Sequence, residues 1–108
     1  MTRTLIVAAV GLSLFLAPLA IAGGSATDGA ATYKAKCAMC HGADGAGQTP
    51  MGKNMKLRDL RAADVQKQTD AELVKWITDG KGKMPAYKAK LSAADIDALV
   101  VFIRSIKK

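Results

Sequence analysis

Histidine occurs once in this 108-residue chain, cysteine twice and proline three times. A single histidine excludes any bis-histidine metal site built within one chain. Two cysteines exclude the multi-disulfide framework that staples many small secreted domains. Aromatic residues amount to 5%, so few large flat side chains are available to fill a core. The length excludes a multidomain enzyme. Acidic residues are the minority, 9 against 16 Lys plus Arg, for a net charge of +7. The two signs are interspersed, which excludes a dedicated nucleic-acid arm and leaves a basic surface to be explained. Strand signals are missing as well: no apolar alternation is paired with hairpin turns, and no internal repeat or low-complexity tract is visible.

The N-terminus reads as a targeting segment. Met1-Thr2-Arg3-Thr4 is a short basic start, Leu5 to Ala17 is an apolar run, and Ala20-Ile21-Ala22 has the small-x-small form that signal peptidase accepts. Residues 1–22 are therefore expected to be a cleaved signal peptide, with Ala26 as the alternative cleavage point. A retained anchor is the competing reading, but Pro18 interrupts the run and no basic stop-transfer cluster follows. No cysteine precedes Cys37, so a lipidated N-terminus is excluded. The expected mature domain, residues 23–108, lies outside the cytoplasm and has no stable membrane insertion.

Periodicity and capping signals in that domain predict helices and loops. Thr27 or Asp28 can cap a first helix running to about Met39. Gly42 to Lys56, rich in glycine, reads as a long loop, and Ala62 to Gln66 as a short helix. Thr69-Asp70-Ala71-Glu72 is a capping box, followed by Leu73, Val74, Trp76 and Ile77 on an apolar face and Gly80 as a left-handed stop. Ser92-Ala93-Ala94-Asp95 repeats the box before Ile96, Leu99, Val100, Ile103 and Ile106 at helical spacing. The fold class is all-α. Large apolar side chains are sparse for so small a domain, which is marginal without a disulfide, a metal or another staple.

The chemistry sits in Cys37-Ala38-Met39-Cys40-His41. Cys-x-x-Cys-His is the covalent attachment motif for c-type haem. On a helical turn, residues three apart project to one side, so both thiols can add to the two vinyl groups of one porphyrin edge. His41 then follows as the proximal axial ligand. A thioredoxin-like pair needs a βαβ setting and leaves the histidine unused. A zinc site lacks a fourth soft ligand, and a structural disulfide also leaves the histidine unexplained.

For the sixth iron position the soft donors left in the expected mature domain are Met39, Met51, Met55 and Met84. Met39 is inside the motif and cannot reach the other face of the ring. Met84 lies in Gly80-Lys81-Gly82-Lys83-Met84-Pro85-Ala86-Tyr87, between two predicted helices. Glycines there permit close backbone approach and proline stiffens the exit, so Met84 is the leading candidate, with Met51 and Met55 as alternatives. A thioether is soft and uncharged; it favours ferrous iron and raises the reduction potential.

On these residues the sequence resembles the class I c-type cytochromes, small monohaem electron carriers, over about Asp28 to Ile106. Gly29 and Tyr33 resemble that family's Gly-x-x-x-aromatic pattern before the haem motif, and Leu99 and Phe102 its Leu-x-x-aromatic pair in the last helix. Pro50 looks like the proline whose carbonyl accepts a hydrogen bond from the proximal histidine ring. Gly80 to Tyr87 resembles the axial methionine loop. Bacterial short cytochromes c and the photosynthetic c6 type are resembled about equally.

The resemblance implies three to four helices wrapped around one covalent haem c. It also implies a monomeric one-electron carrier, not an enzyme, in the periplasm or a thylakoid-lumen-like compartment. Trp76, Leu57, Leu60, Ile77, Leu91 and Leu99 are expected haem neighbours. Lys34, Lys36, Lys53, Lys56, Lys81, Lys83, Lys88 and Lys90 are candidates to steer acidic redox partners. The competing functions are a peroxidase-like enzyme or ligand sensor with an open sixth site, and a redox subunit docked permanently to a dehydrogenase.

Overall fold

The computed structural model describes residues 8–15 and 28–108. The charged start and the Ala20-Ile21-Ala22 cleavage motif of the expected signal peptide lie outside the described residues. Six helical segments follow one another: α1 (Gly29–Lys36), α2 (Ala38–His41), α3 (Pro50–Asn54), α4 (Ala63–Gln66), α5 (Asp70–Asp79) and α6 (Ala93–Ser105). Only α1, α5 and α6 reach eight residues. Among the described residues there is no strand, only an isolated antiparallel bridge between Lys81 and Met84.

Side-chain caps set most of these boundaries. The Asp28 carboxylate accepts from the backbone N–H groups of Ala30 and Ala31, at 3.0 and 3.2 Å, and starts α1. The first helix is shorter than its composition predicts. It stops at Cys37, whose φ of −115° is wide of the ideal helical value although its N–H still donates to the Tyr33 carbonyl, and α2 forms as a separate turn. The stretch from Gly42 to Lys56 is not irregular throughout. Thr49 accepts from the Gly52 N–H at 2.9 Å and Pro50 occupies the first turn of α3, because a proline has no N–H to lose at a helix start. Both expected capping boxes are formed: Thr69 with Glu72, and Ser92 with Asp95.

Packing centres on α6. Its buried Ile96, Leu99, Val100 and Ile103 meet Tyr33 of α1, Val65 of α4, and Leu73 and Ile77 of α5. α1 crosses α6 at Gly29, where a Cβ would run into the Ala98 carbonyl; only glycine allows so close an approach. The Tyr33 and Phe102 rings pack beside this crossing with centroids 4.6 Å apart. Polar ties hold the connection between α4 and α5 onto α6. Gln66 Nε2 donates to the carbonyls of Leu60 and Ile103, at 2.8 and 2.9 Å. The Arg104 guanidinium donates to the Gln66 and Gln68 carbonyls and to Asp70. Charge-assisted bonds of this kind are stronger than neutral ones, and they keep the α4–α5 wall in place beside the interior.

Candidate functional site

The helices and the loops between them line a half-open cavity of about 330 Å³. α5 contributes Leu73, Trp76 and Ile77 to its wall, α6 contributes Leu99 and Ile103, and the chain after α3 contributes Met55, Leu57 and Leu60. Cys37 and His41 line it from the Cys-x-x-Cys-His turn, and Met84 lines it from the loop after α5. Two segments 43 positions apart in sequence thus bring an imidazole and a thioether to one apolar space.

Local geometry explains both placements. The turn carrying His41 is held from outside: the His41 carbonyl accepts from the Gly47 N–H at 2.7 Å, and the Gly42 carbonyl from the buried Tyr33 hydroxyl at 2.6 Å. On the other side, Gly80 takes φ +66°, a left-handed value that strains any side-chain-bearing residue. The chain then reverses through paired backbone bonds between Lys81 and Met84, each 3.0 Å. The Tyr87 N–H donates to the Ile77 carbonyl at 3.0 Å and returns the loop to α5. Met84 is left half-buried at the cavity wall.

The protonation states suit neutral donors. Burial lowers the pKa of His41, so at neutral pH its imidazole is uncharged and carries a free lone pair. Its Nδ1 is buried without a hydrogen-bond partner. Burial, with the neighbouring Cys40, pushes the Cys37 thiol up to about 11, so it stays protonated. Both cysteines are free. Among the described residues no three of His, Cys, Asp and Glu are grouped so as to hold a metal ion.

Other expected site residues are placed differently. Cys40 is half-buried but does not line the cavity; its thiol faces Met51 Sδ at 3.2 Å. Of the two alternative methionines, Met55 lines the cavity and Met51 does not. Pro50 also stays off the wall, and the bond expected from the His41 ring to its carbonyl is not made, since Nδ1 has no partner.

Of the expected apolar neighbours, Trp76, Leu57, Leu60, Ile77 and Leu99 line the cavity, whereas Leu91 does not. Sequence reasoning missed Tyr33, Arg58, Val65, Gln68, Leu73 and Ile103 as lining residues. For Arg58 its place directly after Leu57 was the available signal; for Gln68 there was none. Of the lysines, Lys56, Lys81 and Lys83 reach the wall, with Lys81 Nζ 5.1 Å from the Trp76 ring centroid.

Comparison with known proteins identifies the family. Residues 24–103 match the family described as cytochrome C oxidase, cbb3-type, subunit III. The chain is 37% identical to cytochrome c6 of Leptolyngbya boryana over 72% of its own length and 88% of the relative's. The chain belongs to the class I c-type cytochromes. It is also similar to the solved structure of the KustC0563 c-type cytochrome, with a TM-score of 0.70 at 34% identity, covering 75% of this chain and 99% of that one. Similarity to the cbb3-type oxidase subunit FixP of Azorhizobium caulinodans, 34% identical over 76% of this chain, spans only 27% of that protein. This cytochrome is therefore an electron-transfer protein with covalently bound haem c, all-α in fold, and it works between redox partners.

The residues present fit that group. A half-buried imidazole whose pKa burial lowers, a thioether lining the same cavity, a protonated thiol and a largely apolar lining edged by Lys56, Arg58, Lys81 and Lys83 are donors and surroundings that suit a haem. Among the described residues no helix is long and apolar enough to cross a membrane.

Proposed function

We propose that this cytochrome is a periplasmic one-electron carrier whose iron is held between His41 and Met84, with thioether links at Cys37 and Cys40. The observation that carries the reading is that His41 and Met84 line one cavity, delivered to it by separate segments of the chain. The haem supplies an iron that cycles between ferric and ferrous states. The protein's own residues keep that change free of bond making. Tyr33 and Gly47 hold the His41 turn. The Lys81–Met84 bridge presents the thioether. Leu57, Leu73, Ile77 and Leu99 exclude water, which lowers the solvent reorganisation that accompanies electron transfer. Lys56, Arg58, Lys81 and Lys83 supply counter-charge for the porphyrin's two propionate carboxylates.

A domain spanning residues 23–108 agrees with the family match, which begins at residue 24. Export through a cleaved leader accords with haem attachment, which in bacteria takes place outside the cytoplasm. The exposed Lys34, Lys36, Lys88 and Lys90 lie near the motif and the methionine loop in sequence and are assigned to steering acidic partners. Under this reading the protein works as a monomer in short-lived complexes, and added salt slows transfer to an acidic partner; a rate independent of salt overturns the steering role.

The ligand pair is tested by the optical spectrum of the purified ferric protein. The methionine-to-iron charge-transfer band is expected in the wild type and absent in Met84→Ala. Persistence of the band in that variant transfers the ligand role to Met51 or Met55.

A further inference from the structure

The chain has two tyrosines, and both aim their hydroxyls at backbone carbonyls bracketing the Cys-x-x-Cys-His turn. Tyr33 donates to Gly42, just after the turn, at 2.6 Å. Tyr87 donates to Lys36, just before it, at 3.1 Å across 51 positions of sequence. Tyr33 belongs to the same wall as the turn it holds. Tyr87 does not: it sits three residues after Met84, on the loop that presents the thioether.

That loop is otherwise tied to one side only. Its backbone bonds run to itself, between Lys81 and Met84, and to α5, from Tyr87 to Ile77 and from Lys88 to Thr78. Among the described residues, the Tyr87 hydroxyl makes the sole hydrogen bond between residues 80–88 and residues 28–42. The glycines that open the loop, Gly80 and Gly82, both have positive φ, and Met84 lies between them and Tyr87. A loop that pivots on Gly80 and Gly82 opens by releasing its far end, where Tyr87 returns to α5. At that end the Tyr87 hydroxyl is the bond that reaches the opposite wall, so opening breaks it.

We infer that Tyr87 is a latch: its hydroxyl closes the methionine loop against the haem-attachment turn and sets how readily Met84 yields the iron to another ligand. The inference rests on Met84 being the axial ligand. Tyr87 is a positioning residue that acts through Met84. Phenylalanine keeps the ring, including its place under Lys90 Nζ at 5.7 Å, and removes only the hydroxyl.

Imidazole, which competes with a methionine for ferric haem iron, reads the opening of the loop. The experiment titrates imidazole into the ferric holoprotein and follows the charge-transfer band in wild type, Tyr87→Phe, Thr69→Ala and Met84→Ala. Losing one net hydrogen bond from the closed form is expected to tighten apparent imidazole binding about three- to tenfold in Tyr87→Phe. Thr69→Ala removes the cap at the far end of α5, weakens the fold generally, and should leave imidazole affinity at the wild-type value. Equal affinities in Tyr87→Phe and wild type overturn the latch, as do equal gains in Tyr87→Phe and Thr69→Ala. Met84→Ala separates this result from the underlying ligand assignment. If it retains the band and the wild-type affinity, Met84 is not the ligand and both readings fall; if it loses the band while Tyr87→Phe is silent, only the latch falls.

Discussion

Gly29→Ala sets two effects of opposite sign against each other. If only the local helix mattered, exchanging a helical glycine for alanine would stabilise the protein by about 0.4–1 kcal/mol, through lower entropy of the unfolded chain. The tertiary contact works the other way. A Cβ at Gly29 would lie 2.7 Å from the Ala98 carbonyl carbon and 3.3 Å from Phe102 Cβ. The first obstruction is backbone of α6, which has no rotamer to change, so α1 and α6 must separate. Overpacking of this kind costs about 1–3 kcal/mol, and separation also loosens the Tyr33–Phe102 contact beside the crossing. The net expectation is a loss of about 1–2 kcal/mol, or roughly 5–15 °C in Tm for a domain of this size. Urea unfolding of the holoprotein, followed through Trp76 fluorescence, measures it. A variant as stable as the wild type, or more so, refutes the close crossing and returns Gly29 to ordinary helix propensity.

Two further outcomes are expected. The Arg61 side chain and backbone N–H beside Asp59, at 3.0 and 2.9 Å, with Lys108 Nζ at 3.4 Å, hold its carboxyl well below the usual carboxylate range. A lowered folded pKa stabilises the protein above the unfolded value of about 3.9 and is lost as pH falls below it, because the unfolded chain takes up the proton first. Asp59→Asn should therefore be less stable than wild type at pH 7, with the gap narrowing below about pH 4; equal gaps in urea midpoint at pH 7 and pH 3 contradict this. Haem-free protein should be largely unfolded, because the cavity wall is then left without its filler. A cooperative, native-like circular-dichroism melt of the haem-free chain defeats that expectation.

Much of this cytochrome is legible in its sequence because the chemistry concerned is local. Covalent attachment needs a cysteine pair at fixed spacing beside a histidine, and that requirement is met within five consecutive residues. Helix starts are equally local, since a capping box closes within four residues; both boxes form where Thr69 and Ser92 place them. Gly80 at φ +66° follows from the same short-range logic. The misreadings of helix bounds arose where local signals, the Thr49 cap and Pro50 at a helix start, were passed over. Composition alone ran the first helix through Cys37 and left α3 inside a loop. The family resemblance gave Pro50 a bond from the His41 ring that is not made in this structure.

Residue identity and short spacing thus determined the attachment motif, the helix caps and the family, because each depends on atoms a few bonds apart. Tertiary structure alone decided which side chains share the cavity. It brought Met84 and Met55 to the wall and left Met51 against Cys40, enclosed the His41 imidazole, and set the Tyr87 hydroxyl on the Lys36 carbonyl. Those relations join segments dozens of residues apart, and only the packing of α1, α5 and α6 brings them within reach.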